Sequence, residues 1–169
     1  MLLNLAIYTP SNYIFPSKMD KYIDLSDKKR NNLTQVGREE GIRRLMNINL
    51  LKRLESSVYS FGLTLSRIKI LITEMIKSID AYENNGSTVI DLVDLSEATE
   101  FDLDDQNTDF FTVGKKVKID LADMDYKSWR EEIIMDEETL ELLSLMIADI
   151  TPEHDTKLQT LFQLVADKL

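Results

Sequence analysis

The sequence predicts a mainly α fold: a long helical arm or hairpin packed on C-terminal helices, with a small β-hairpin attached. Three observations predict it. The 169 residues include only five Gly and three Pro, so helix breakers are scarce. Residues 37–83 contain no Pro, and apolar residues recur there at steps of three and four. Asp residues that can cap helices precede apolar runs of the same period in the last third of the chain. An apolar fraction of 43% supplies a sizeable core, and the length suits one domain, 1–169.

The first part, 1–36, is an N-terminal arm and loop. Leu2 to Tyr8 is short, apolar and followed by Thr9-Pro10, which predicts a strand or extended arm, because the residue before Pro avoids the helical region. Ser17 can cap a short helix over 17–24, and the polar stretch 25–36 reads as a loop. The second part, 37–83, is the long helical region. Ile42, Met46, Leu50, Leu54, Phe61, Leu65, Ile68, Ile72, Met75 and Ile79 make one broad apolar face, on which Leu50, with its neighbours Leu51 and Leu54, is expected to be buried. A single helix over this span is about 70 Å long, which implies a hairpin arm or a break near Gly62. Asn84-Asn85-Gly86 stops it.

The third part, 84–125, is an acidic loop and β-hairpin. Residues 87–109 read as a loop, and the runs Phe110–Val113 and Lys116–Leu121 flank a Gly114-Lys115 turn. The fourth part, 126–169, holds the C-terminal helices. Asp125 caps Tyr126–Met135, Asp136 opens a helix to about Asp149, and Thr151-Pro152 opens the last one, which ends without a stop signal.

Composition excludes several chemistries. Without Cys there is no disulfide framework, cysteine-ligated metal or thiolate chemistry, and one His, His154, cannot make a His cluster. No apolar run is long enough to span a membrane, and the N-terminus lacks the basic start of a signal peptide, so a cytoplasmic setting and no membrane partner are expected. The net charge of −10 is unevenly placed: residues 1–85 carry +4 and residues 86–169 carry −14. Either the basic half meets a polyanion or the two halves neutralise each other.

Catalytic motifs are absent. Val113-Gly114-Lys115-Lys116 has one Gly and sits between β-runs, so it is a turn and not a phosphate cradle. Asp102/Asp104/Asp105 and Asp120/Asp123/Asp125 lack the Gly and bidentate Glu of a calcium loop and read as solvated loop and caps. His154 reads as a surface residue, Ser56-Ser57 have no base beside them, and Trp129 reads as core. The basic residues Arg38, Arg43, Arg44, Lys52 and Arg53 are candidates for contact with a DNA backbone, although they do not share one stripe at about 100° per residue.

The run Asn49-Leu50-Leu51-Lys52-Arg53-Leu54-Glu55-Ser56-Ser57, followed by Phe61 and Thr64-Leu65, is distinctive. It resembles a segment between the two RecA-like lobes of bacterial Swi/Snf-type ATPases of helicase superfamily 2. Tyr8–Tyr13, Lys118–Asp125 with Trp129, and His154–Leu158 are similar, in order, to the entry to that region, the stretch before the second lobe and the lobe's lead-in helix. The resemblance covers most of the chain and departs at Gly62, where a larger, often basic residue is expected. It implies a non-catalytic fragment of an ATP-dependent DNA helicase or translocase, bracing or linking the lobes and touching the DNA backbone. The fragment holds no cofactor; ATP and Mg belong to the parent hydrolase, and the flanking RecA-like lobes and double-stranded DNA are the implied partners. The alternative is a stand-alone helical protein-interaction module with an acidic recognition segment at 91–110.

Overall fold

The computed structural model describes residues 3–22, 35–85, 89–91 and 118–168. The fold is mainly helical, and its helices pack on one another. The elements are α1 (Met19–Tyr22), α2 (Gln35–Ser56), α3 (Val58–Asn85), β1 (Val89–Asp91), β2 (Lys118–Asp120), α4 (Tyr126–Met146) and α5 (Thr156–Ala166).

The backbone of the domain is the pair α3 and α4. Lys69 meets Glu141, the Thr73 hydroxyl donates to Glu137 at 2.6 Å, and Arg130 pairs with Asp80 at 2.8 Å. Each step up α3 matches an equal step down α4, so the helices are antiparallel. Between them lie Leu65, Ile68, Ile72, Met75 and Ile79 from α3 and Trp129, Ile133 and Leu140 from α4, all buried. These are the three- and four-residue steps that the sequence shows. The exposed ion pairs on the seam contribute at most about 1 kcal/mol each; the buried apolar stripe holds the pair together.

The N-terminal arm is not a strand. It forms two 3-10 turns, Ala6–Tyr8 and Pro10–Tyr13, wedged between α2 and α4, with Leu3, Leu5, Ala6, Ile7 and Tyr8 buried. An extended arm with no sheet to join would leave its amides unpaired in this interior. Instead, the buried Asp136 carboxylate accepts from the backbone N–H of Asn4 at 2.8 Å and of Ala6 at 2.7 Å. Leu5, between them, has φ 53° and ψ 47°, a left-handed conformation that costs a non-Gly residue roughly 1–2 kcal/mol. That turn points two donors, one on each side of Leu5, at one anion. The Trp129 indole N–H donates to the Ala6 carbonyl at 2.9 Å. From the other side Glu39 of α2 accepts from the Ser11 N–H at 2.9 Å and the Ser11 hydroxyl at 2.6 Å. Thus Asp136 does not open a helix. It lies in the middle of α4, which runs unbroken from its Asp125 cap to Met146, and its side chain turns inward to the arm.

Other expected boundaries shift. The short N-terminal helix begins at Met19 and not at Ser17, after a turn at 16–18; it is described to Tyr22, residues 23–24 lie outside the described residues, and Gln35-Val36 already belong to α2. The long helical region breaks at Ser57, not at Gly62, and α3 is described to Asn85, with Gly86 outside the described residues. Leu50 is buried, but Leu51 and Leu54 are 63% and 41% exposed, because the arm covers only the stripe Glu39, Met46 and Leu50 of α2. Val89–Asp91, expected within a loop, forms β1 and pairs antiparallel with β2 in the register Val89↔Asp120, Ile90↔Ile119, Asp91↔Lys118. A β-pair therefore exists between Val89–Asp91 and Lys118–Asp120, whereas the expected turn at Gly114-Lys115 and the run Phe110–Val113 lie outside the described residues. Residues 110–117 and the acidic stretch 92–110 lie outside the described residues. The last helix begins at Thr156 with Asp155 as its cap, and Thr151-Pro152 falls in the preceding turn.

Replacing Asp136 by Asn sets an amide donor against one of two buried backbone N–H groups. Urea unfolding of Asp136→Asn is expected to show a loss of about 1–3 kcal/mol.

Candidate functional site

The five basic candidates begin as a property of α2, and α2 distributes them around its circumference. Arg43 is tied into the fold: its guanidinium pairs with Glu40 at 2.7 Å and donates to the Asn4 side chain at 2.8 Å. Arg38 sits in the first turn, half-buried, with an Nη2 contact of 3.5 Å to Gln35. Arg53 reaches across the bend and donates to the Ser60 hydroxyl at 3.1 Å. Arg44 and Lys52 are exposed. The structure therefore does not bring the five residues together on one face.

Part of the charge asymmetry of the sequence is used inside the molecule. Lys18 and Lys21 of the basic half pair with Asp123 of the acidic half at 3.7 and 2.5 Å, and Lys69 pairs with Glu141. The Tyr22 hydroxyl also donates to Asp123, at 2.7 Å. The Asp residues that resemble a calcium loop have other tasks: Asp120 caps the 3-10 turn Leu121–Asp123 through the Ala122 N–H, and Asp125 caps α4 through Ser128. Among the described residues no group of His, Cys, Asp and Glu is placed to hold a metal ion.

The site that the sequence did not announce is the elbow between α2 and α3. Ser57 is the single non-helical residue there. Its hydroxyl donates to the Asp155 carboxylate at 2.5 Å, and the Tyr59 N–H donates to the same oxygen at 3.3 Å. The other Asp155 oxygen accepts from Leu158 N–H at 3.2 Å and caps α5. One carboxylate thus serves the starts of two helices, where the positive ends of their dipoles favour an anion. Next to it, the Lys157 ammonium donates to the Glu55 carbonyl. An Asp just before the periodic run Leu158, Leu161, Phe162, Val165 is the signal that marks this cap in the sequence, more direct than Thr151-Pro152. His154 is exposed, with Nδ1 3.1 Å from the Asp149 carbonyl, so it does not complete a Ser–His–Asp relay with Ser57.

Gly62 lies one turn into α3, and a Cβ there would stand 3.1 Å from Cδ1 of Ile147, which follows α4. The small residue admits Ile147. Beside it a groove of about 520 Å³ runs between α2, the start of α3 and the end of α4, lined by Leu50, Leu51, Leu54, Phe61, Leu143 and Met146 among others, with Arg44 and Asn47 as its polar members. Helix α5 has no buried residue; Leu161, Phe162, Leu164 and Val165 are all at least half exposed. Apolar patches of this kind mark contact surfaces. No helix of the described residues is long and apolar enough to cross a membrane.

Three acidic groups give a signed pH response. Hydrogen bonds from Ser57, and then from backbone amides, hold Asp155 below the usual carboxylate range, and Lys21, with Tyr22, does so for Asp123. A folded-state pKa below the unfolded one contributes stability that is present above the unfolded value, about 4, and is lost as pH falls through the folded value. Glu39 runs the other way: burial raises it, so its contribution falls as pH rises above the unfolded value. The urea midpoint is expected to drop from about pH 5 to about pH 3, and to drop less in the double variant Asp123→Asn, Asp155→Asn. At Gly62 the expectation is a size threshold. Gly62→Ala should stay within about 1 kcal/mol of the natural chain, since helix propensity offsets a small shift of Ile147, whereas Gly62→Leu should lose about 1–3 kcal/mol in the same assay.

No family model, curated protein or solved structure matches this chain.

Proposed function

We propose that the chain is a non-catalytic helical brace that connects larger bodies, of the kind its resemblance to the inter-lobe segment of Swi/Snf-type ATPases implies. The observation that carries this reading is α5: an apolar helix with no buried residue, held at its base against the α2–α3 elbow. A helix of this kind gains its stability by packing against something outside the domain. The meeting of the two most distinctive segments supports the same reading. Asn49–Ser57 and His154–Leu158 touch through Ser57 and Asp155, 98 residues apart in the chain. In this reading the flanking RecA-like lobes carry ATP and Mg, the setting is the cytoplasm, and the brace passes lobe movement along the stiff α3–α4 pair.

Contact with double-stranded DNA belongs to the proposal in a narrower form. Arg43 is committed to Glu40 and Asn4, and the exposed Arg44 and Lys52 are the leading contacts, with Arg38 and Arg53 as further candidates. The alternative, a stand-alone interaction module, uses the same apolar groove and α5 without DNA.

Fluorescence anisotropy with a double-stranded oligonucleotide separates the two. Phosphate contact gives binding that weakens steeply between about 50 and 200 mM salt, with a log–log slope near −0.9 per contact, and the charge reversal Lys52→Glu, Arg53→Glu should flatten that slope by about two contacts. Binding that ignores salt, or a double variant that behaves like the natural chain, removes DNA from the proposal and favours the interaction module.

A further inference from the structure

The geometry points to Asp155 as a latch that sets the direction of α5 relative to the α2–α3 elbow. Helix α5 has no residue in the core, and only Leu158 and Gln159 within it are even half-buried. Its attachment is therefore concentrated at its first turn. There Asp155, itself only 7% exposed, divides its two oxygens: one caps α5 through Leu158 N–H, and the other takes Ser57 Oγ–H and Tyr59 N–H from the elbow. Ser57 adds a second link, because its oxygen also accepts from Ser60 N–H at 3.1 Å and so caps α3. Lys157 closes the contact on the far side of the bend through the Glu55 carbonyl, one of those left unpaired at the end of α2. Three helix ends thus converge on one side-chain pair. Rotation of α3 against α2 moves Ser57 and Tyr59 together, and through Asp155 it moves the base of α5.

The latch divides the chain into two mechanical parts. The α3–α4 pair is held by a buried apolar stripe, which yields only to global unfolding, whereas α5 is held by a few hydrogen bonds that open locally at much lower cost. Its working meaning rests on the brace reading, since α5 is the surface offered to a neighbour there. The latch itself stands on the geometry alone.

The natural chain has no Cys, so two introduced cysteines carry the only labels. Spin labels at Glu74→Cys on α3 and Gln163→Cys on α5, both exposed positions, report the angle between the helices by double electron–electron resonance with no DNA, nucleotide or partner present. The expected result is one narrow distance peak in the otherwise natural chain, and loss of that single peak in both Asp155→Ala and Ser57→Ala. Ser57→Ala is the decisive variant, because it leaves the Asp155 cap on α5 in place, and circular dichroism should show its helix content unchanged. A peak that stays narrow in both variants overturns the latch, and so does a distribution already broad in the natural chain. Failure of DNA binding or of lobe docking touches neither outcome.

Discussion

Two buried carboxylates hold the rest of the structure in place. Asp136 from α4 takes two backbone donors of the N-terminal arm, Glu39 from α2 takes a backbone and a side-chain donor, and the arm fills the space between those helices. Remove the arm and α2 keeps only its elbow and a few partly buried side chains to fix it to the α3–α4 pair. Acids in such positions are costly to desolvate, and the cost is met here because every donor aimed at them is well placed. Gln35 adds a third hydrogen bond to Glu39 at 2.8 Å, so that carboxylate is surrounded by donors although burial pushes its pKa upward. The left-handed Leu5 belongs to the same arrangement. Its strain is tolerated because it aims the Asn4 and Ala6 amides at one carboxylate while its own side chain is fully buried.

From this anchor the architecture spreads outward with decreasing burial. The arm and the α3–α4 stripe form the core; the elbow, the Gly62–Ile147 contact and the groove form a partly open shoulder; α5 stands beyond it. The functional candidates follow that gradient. In the core Asp136, Glu39 and Ser11 are held in hydrogen bonds, and among the described residues the apolar surfaces left open lie at the shoulder and on α5. The exposed stripe Leu51, Leu54, Met146 has the character of a contact face, with Arg44 beside it as the charged member.

How much of this the sequence disclosed depends on the range of the interaction. Periodicity identifies α3 and α4 and most of their buried residues, because an amphipathic stripe is a local property, and Asp125 marks the start of α4. Asp136 misleads for the same reason: an Asp followed by two Glu looks like a helix start, and only the arm, 130 residues away, explains why it sits mid-helix. The elbow at Ser57 is equally hidden, since no Gly or Pro marks it and its partner Asp155 is remote. The apolar pattern of α2 continues past the surface that the arm covers, which is why Leu51 and Leu54 read as core and prove exposed. Charge clustering shows which residue types are present, not where their ends point, and Arg43 turns inward while Arg44 does not.

The wedge also constrains the order of events during synthesis. The arm is made before its partner: the carboxylate that receives its amides lies 132 residues later than Asn4. At about 5–20 residues per second, Leu3 to Tyr8 wait on the order of ten seconds for their seat. Through that interval a mostly apolar stretch, with two backbone donors and no carboxylate to receive them, is open to other chains. A segment made early is thus docked late, so the domain's exposure to misassembly is set by translation speed as much as by final stability.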